Sequence, residues 1–296
     1  MSLLDTKLHH QGPQQRRLHD FLALARISNS PTVVTNVLAG AALAGVLRPG
    51  VTTALLAVAM VLFYTAGMFL NDLCDYATDV RERPERPLVC GAISRTEAAI
   101  AVVAMFVVGS ALLLYVGPVP FASGLVLIAV IVLYDVWHKT NPFSPLVMAV
   151  ARAMVYVTAF LAFSTRLSVL PIVPVGLAVL YVVSLTYIAK SETGPAVKRF
   201  WPVVAFLLPA AYFAFQISSA ILLLLPVLFA GWVTYSASFA YRSRGRNVGG
   251  AVGRLIAGIA LYDSLVLAAA GAVYGVVLAL AAFGATLFFQ RYVRGT

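Results

Sequence analysis

Long apolar runs alternate with short polar breaks along almost the whole chain. Runs long enough to cross about 30 Å of hydrocarbon lie near 22–47, 51–70, 97–117, 119–137, 144–164, 169–188, 201–216, 218–240, 252–270 and 273–290. Each is read as a helix, because a segment inside a bilayer must satisfy its backbone polar groups internally. Turn residues punctuate the breaks, as at Arg48-Pro49-Gly50 and Gly117-Pro118. The pattern predicts one all-α, polytopic membrane bundle over 21–296 behind a flexible polar tail over 1–20. That tail lacks an apolar core of signal-peptide length, which argues against a cleaved targeting sequence.

Composition agrees. Hydrophobic residues make up 61% of the chain, charged residues 11%, and mean hydropathy is +0.92, values that exclude the soluble globular class. The net charge of +10 would suit nucleic acid, but its placement decides against that. With the N-terminus in the cytoplasm, the Lys and Arg of the tail and of the breaks 71–96, 138–143, 189–200 and 242–251 all fall inside, and only Arg48 and Arg166 fall outside. This positive-inside pattern assigns the charge to the cytoplasmic face of a cell membrane and its lipids. An even count of spans also places Arg294 inside. The two cysteines, Cys74 and Cys90, share one break, so neither a disulfide framework nor a thiolate metal site is implied.

One break concentrates anions. Of eleven Asp and Glu in the chain, Asp72, Asp75, Asp79, Glu82 and Glu85 all follow the second run, in Asn71-Asp72-Leu73-Cys74-Asp75-Tyr76-Ala77-Thr78-Asp79 and just beyond. If the helix continues, the three aspartates at i, i+3 and i+7 project from one face. Clustered carboxylates repel unless a cation holds them. Mg²⁺ suits such oxygens, taking one or two carboxylates and completing its shell with water and substrate phosphates. The sequence thus points to a metal-bridged diphosphate site; the competing reading is a charged, solvated loop.

Asn-Asp-x-x-Asp-x-x-x-Asp, followed by Arg86-Pro87-Leu88 and Gly91-Ala92-Ile93-Ser94, resembles the first aspartate-rich motif of the UbiA superfamily of intramembrane prenyltransferases. The resemblance implies a bundle of typically nine, here nine to ten, transmembrane helices around a central cavity open to the cytoplasmic side. It also implies Mg²⁺ and an isoprenyl diphosphate whose prenyl group passes to a lipophilic acceptor. The family's Tyr-x-x-x-Lys motif is matched by Tyr134-Asp135-Val136-Trp137-His138-Lys139, with the lysine one place late. Its second aspartate-rich motif is replaced by Tyr187-Ile188-Ala189-Lys190-Ser191-Glu192-Thr193-Gly194, where only Glu192 is acidic. The doubled Glu82-Arg83-Pro84-Glu85-Arg86-Pro87 and Tyr134-Asp135-x-Trp137-x-Lys139 resemble the UbiA-like EboC branch in particular.

The resulting expectation has Asp72, Asp75 and Asp79 holding Mg²⁺, with Asn71 orienting the site. Arg86, Lys139, Arg152 and Lys190 neutralise phosphate, and Tyr134, Tyr187 and Glu192 contact the substrate. Arg152 and Asp263 lie within apolar runs, where ionisable residues are functional candidates by default; the alternatives are an ion pair of Arg152 with Asp135 and a hydrogen-bonded Asp263 between helices. Asn36, on the first run, either lines the cavity or joins helices. No residue stands out to deprotonate the acceptor. A rival expectation is a non-catalytic protein of the same fold that binds or moves an isoprenoid or other lipid-like metabolite. The missing second motif favours it, and the intact first motif favours catalysis.

Overall fold

The computed structural model describes residues 13–139, 141–164, 171–191, 199–242 and 245–293. Among them are eleven α-helices, one 3-10 turn and no strand: α1 (Pro13–Leu24), the turn Ile27–Asn29, α2 (Ser30–Leu43), α3 (Val51–Glu82), α4 (Arg95–Val116), α5 (Pro118–Trp137), α6 (Ser144–Leu161), α7 (Ile172–Ala189), α8 (Trp201–Ala214), α9 (Leu224–Tyr241), α10 (Val248–Ala269) and α11 (Val273–Phe289). Every apolar run contains a helix. Seven helices are long and apolar enough to span a membrane, while Trp201–Ala214 and Val273–Phe289 are shorter apolar helices.

Two expectations change. Residues 13–20 of the presumed tail belong to α1, whose Phe21 stacks on Phe69 with ring centroids 6.3 Å apart. The run 22–47 is not one span. Its chain breaks at Arg26, which adopts the left-handed conformation (φ 43°, ψ 44°), and α2 restarts at Ser30 with Pro31 in its first turn. Proline lacks the N–H that a continuing helix needs, whereas the first turn has no intrahelical partner for that N–H anyway. The Ser30 hydroxyl donates to the Ile27 carbonyl at 2.8 Å and secures the junction.

Helix α3 has 32 residues, about 48 Å at 1.5 Å per residue, well beyond a hydrocarbon core of about 30 Å. It is thus longer than a single span requires, and its last three turns carry the aspartates. The chain returns through Gly91, at φ 76°, into α4, which opens with a capping box. There Glu97 N–H donates to Ser94 Oγ at 3.1 Å and Ser94 N–H donates to Glu97 Oε2 at 2.9 Å, answering two otherwise free donors.

Helix α10 is buried on nearly all sides and packs against α2, α7, α8, α9 and α11. A second apolar cluster joins α2, α3, α4, α5 and α6 through Val37, Leu56, Phe63, Leu113, Leu127 and Val155. Helices α2 and α6 contribute to both clusters and cross closely at Gly40, where an added Cβ would lie 2.5 Å from the Tyr156 carbonyl oxygen. The candidate site opens in the second cluster, at the end of the bundle where α3 presents its aspartates.

Candidate functional site

A cavity of about 640 Å³, counting its open mouth, runs into the bundle between α2, α3, α5 and α6. Its depth is apolar, lined by Val33, Met60, Phe63, Leu127, Ile131 and Val155, and Tyr64, Tyr134, Asp135 and Arg152 bring polar groups to its wall. Phe63 is 1% exposed, and its ring leans on Gly109 of α4, where a Cβ would meet Phe63 Cε1 at 2.5 Å. Only glycine lets α4 come close enough to back the ring.

The three aspartates of α3 stay close to one another but divide between two sets of cations. At about 100° per residue, Asp79 falls roughly 20° from Asp72 around the helix, but Asp75 falls about 60° away. Accordingly Asp72 and Asp79 share one guanidinium: Arg86 Nη1 donates to Asp72 Oδ1 at 3.0 Å and to Asp79 Oδ2 at 2.6 Å. Asp75 turns toward α5, where Lys139 Nζ lies 2.7 Å and His138 Nε2 3.5 Å from its Oδ1. Asp75 Oδ1 is therefore answered by the Lys139 ammonium, with His138 as a second and longer contact. The nearby Asp75 carboxylate raises the His138 pKa above the ordinary imidazole value. Lys139 also donates to Thr78 Oγ1 at 2.8 Å.

Asp135 lines the cavity and Arg26 pairs with Asp72; the sequence names Asp135 only as an alternative partner of Arg152, and does not name Arg26 as a site residue. Arg26 Nη2 donates to Asp72 Oδ1 at 3.1 Å, and its carbonyl accepts from Tyr64 OH at 3.2 Å. A non-glycine residue held in the left-handed region beside a cavity is a local cost that the surroundings must enforce. The legible signal for it was the run Ser28-Asn29-Ser30-Pro31, which marks a helix break within an apolar run. Asp135 accepts from Asn71 Nδ2 at 3.2 Å. Its signal was an acid inside an apolar run.

Arg152 reaches the cavity wall, but its partner is not Asp135. Its Nη1 donates to Asn36 Oδ1 at 2.8 Å and lies 3.4 Å from Thr32 Oγ1. Asn36 is fully buried behind the wall instead of lining it, and donates to Tyr156 OH and Asp263 Oδ2, each at 2.7 Å. Asp263 also accepts from Thr35 Oγ1 at 2.5 Å and from Tyr156 OH at 2.6 Å. Asp263 thus sits in the bundle as a hydrogen-bonded carboxylate and is absent from the cavity wall, so it acts on the site only through Asn36.

Tyr134 lines the cavity and stacks on His138. Tyr187 instead packs on Trp201, with centroids 5.1 Å apart. Lys190 is exposed at the end of α7, a helix that packs on α6, α8 and α10, and its ammonium has no partner among the described residues. The structure does not join Tyr187 or Lys190 to the aspartates, and Glu192 lies outside the described residues.

Among the described residues, no group of three or more Asp, Glu, His or Cys is arranged to enclose a metal. The donor set nevertheless fits Mg²⁺, which usually takes one or two carboxylates and leaves its other positions to water and phosphate. The buried Asp135 Oδ2, which has no hydrogen-bond partner, and the Asp75 carboxylate, held by Lys139, are hard donors of that kind.

The sequence profile of the UbiA prenyltransferase family matches residues 33–193. A digeranylgeranylglyceryl phosphate synthase from Methanoregula boonei is 35% identical over 125 residues, covering 42% of this chain and 44% of that protein. The chain therefore matches less than half the length of that curated relative. A UbiA homologue from Archaeoglobus fulgidus, bound to DMAPP and Mg²⁺, superposes with a TM-score of 0.64 at 13% identity, covering 87% of this chain and 99% of that one. The apo structure of a UbiA homologue from Aeropyrum pernix K1 gives a TM-score of 0.62 at 18% identity, covering 83% and 96%. At these identities the structural matches establish a shared fold.

Proposed function

Since the chain belongs to the UbiA prenyltransferase family, we propose that it transfers a prenyl group, with Mg²⁺, from an isoprenyl diphosphate to a lipophilic acceptor within the membrane. The observation that carries this reading is the polarity of the cavity. Its wall carries Asp135 and Arg152 over an apolar depth, and Asn71, bonded to Asp135, adjoins the turn of α3 on which Asp72 and Asp75 pair with Arg26, Arg86 and Lys139. A charged head and an apolar tail are the two ends of a prenyl diphosphate. The named prenyl diphosphate and Mg²⁺ in the Archaeoglobus homologue support the same substrate class.

In this reading the chain's cations draw off negative charge as the bond from the prenyl C1 to the diphosphate oxygen breaks. Bound Mg²⁺ would supply further neutralisation of the leaving group. Arg152, fixed by Asn36, meets the diphosphate at the cavity wall, and Arg86 and Lys139 serve it at the mouth. The apolar walls exclude water from the allylic cation, and the Tyr64 and Phe63 rings offer it their π faces. The acceptor's carbon or oxygen then bonds to C1 and its proton leaves. The distribution of Lys and Arg favours the cytoplasmic side of a cell membrane for the mouth.

The test is release of diphosphate from dimethylallyl, geranyl, farnesyl and geranylgeranyl diphosphates by the purified protein. Release should require Mg²⁺, stop with chelator and be lost in Asp72→Asn. No release from any donor would overturn the catalytic reading in favour of isoprenoid binding or transport.

A further inference from the structure

The stretch after α7 supplies no aspartate pair to match the one after the second span: Lys190 is exposed there, and Ser191 spends its hydroxyl on the Ile188 carbonyl at 2.7 Å. Helix α5 offers a carboxylate in its place. Asp135 is 4% exposed and lines the cavity. Its Oδ1 accepts the Asn71 amide, but its Oδ2 is buried with no hydrogen-bond partner. An unanswered buried carboxylate oxygen is costly, and no Lys, Arg or His among the described residues forms an ion pair with Asp135. The nearby cations are committed elsewhere: Arg26 to Asp72, Lys139 to Asp75 and Arg152 to Asn36.

The position of that oxygen says what it awaits. Asn71 and Asp75 are one turn apart on α3, and Asp135 and His138 are one turn apart at the end of α5. The Asn71–Asp135 contact at 3.2 Å and the Asp75–His138 contact at 3.5 Å are therefore successive rungs between the same two helices. Asp75 and Asp135 lie on neighbouring rungs of that gap; Asp135 Oδ2 has no partner, and Asp75 Oδ1 is held by the Lys139 ammonium at 2.7 Å. One unanswered carboxylate oxygen beside another held only by a flexible lysine suits a divalent cation that displaces the ammonium and completes its shell with water and phosphate.

We propose that Asp135 and Asp75 form a divalent-cation site bridging α3 and α5, with Asn71 holding the Asp135 carboxylate in place. This rests on the diphosphate reading above and deepens it: a ligand from α5 takes over charge balance that the segment after α7 lacks. Lys139, relieved of Asp75 by the cation, becomes available to a diphosphate oxygen.

Mn²⁺ alone, followed by electron paramagnetic resonance on the full chain in detergent, tests the site. Wild type should bind Mn²⁺ saturably, and Asp135→Asn and Asp75→Asn should each lose at least about tenfold in affinity, since even groups that only support a ligand cost 10–100-fold. Without metal, Asp135→Asn should melt no lower than wild type, because the uncompensated buried charge is gone. That result separates lost binding from lost folding. Asp135→Glu, which keeps the carboxylate, should bind more tightly than Asp135→Asn and guards against a misfolded amide variant. Mn²⁺ affinity unchanged in Asp135→Asn, or no saturable binding by wild type, overturns the site. Neither measurement uses a prenyl donor: a chain that binds Mn²⁺ through Asp135 yet releases no diphosphate keeps the site and loses the transferase reading.

Discussion

Replacing Asp263 by alanine separates a network that aims Arg152 from one that merely packs the bundle. Asp263 is fully buried and accepts from Thr35, Asn36 and Tyr156. Each hydrogen bond lost to a charged acceptor is worth about 1.5–3 kcal/mol, but truncation also removes the cost of keeping that carboxylate out of water. A net loss of about 1–3 kcal/mol follows, the cost of leaving buried donors without their acceptor. The functional consequence travels through one amide. Asn36 uses Nδ2 on Asp263 and Tyr156 and offers Oδ1 to Arg152 at 2.8 Å, so without Asp263 its orientation is set only by Tyr156. Arg152 then loses its fixed aim at the cavity. A charge-assisted contact to phosphate worth about 1.5–3 kcal/mol corresponds to roughly 10- to 150-fold in affinity. Calorimetric titration of geranyl diphosphate with Mg²⁺, beside the melting temperature of the same sample, reads both effects. Asp263→Asn, which keeps one acceptor oxygen, should fall between wild type and alanine in each. Wild-type affinity in a destabilised Asp263→Ala protein would refute the positioning role and leave the network purely structural.

Arg86→Ala should destabilise the metal-free protein by about 3–5 kcal/mol, because Asp72 and Asp79 lose a shared and largely buried partner. Added Mg²⁺ should restore part of that loss, and a melting temperature indifferent to Mg²⁺ would contradict it. Between Asp135 and Leu127 the cavity wall descends about 12 Å along α5; a geranyl main chain spans roughly 9 Å and a geranylgeranyl one roughly 19 Å at about 1.25 Å advance per bond. Wild type should therefore prefer geranyl diphosphate in competition. Phe63→Ala should shift that preference toward longer donors at a stability cost of about 3–5 kcal/mol; mass spectrometry of the products from mixed donors decides it. Lys190→Ala should change stability by no more than about 0.5 kcal/mol and leave donor affinity within twofold. A larger loss of affinity would return Lys190 to the site.

The ten apolar runs and the ladder of aspartates were legible because both are local. Hydropathy summed over a run decides whether it enters a bilayer, and spacing along one helix decides which face its residues share. The same local rule, applied more closely, separates Asp75 from Asp72 and Asp79, and Ser28-Asn29-Ser30-Pro31 marked the break at Arg26. What remained hidden were relations between helices far apart in sequence: Arg26 with Asp72, Asn71 with Asp135, Arg152 with Asn36, and Asn36 with Asp263.

In water, an apolar stripe would have announced which faces meet. In lipid it does not, since the surroundings are as apolar as the core. Helix α4 has the highest mean hydropathy of the seven spans, 2.6, and is 17% buried, whereas α10 is 83% buried at 1.6. Hydropathy therefore places both helices in the membrane without saying that one faces lipid and the other fills the centre. The sequence by itself determined the membrane, the helices and the acidic face. Only tertiary packing decided which cation answers each carboxylate and which buried oxygen is left unanswered, because those contacts are fixed by the close approach of helices at sites such as Gly40 and not by any periodicity along them.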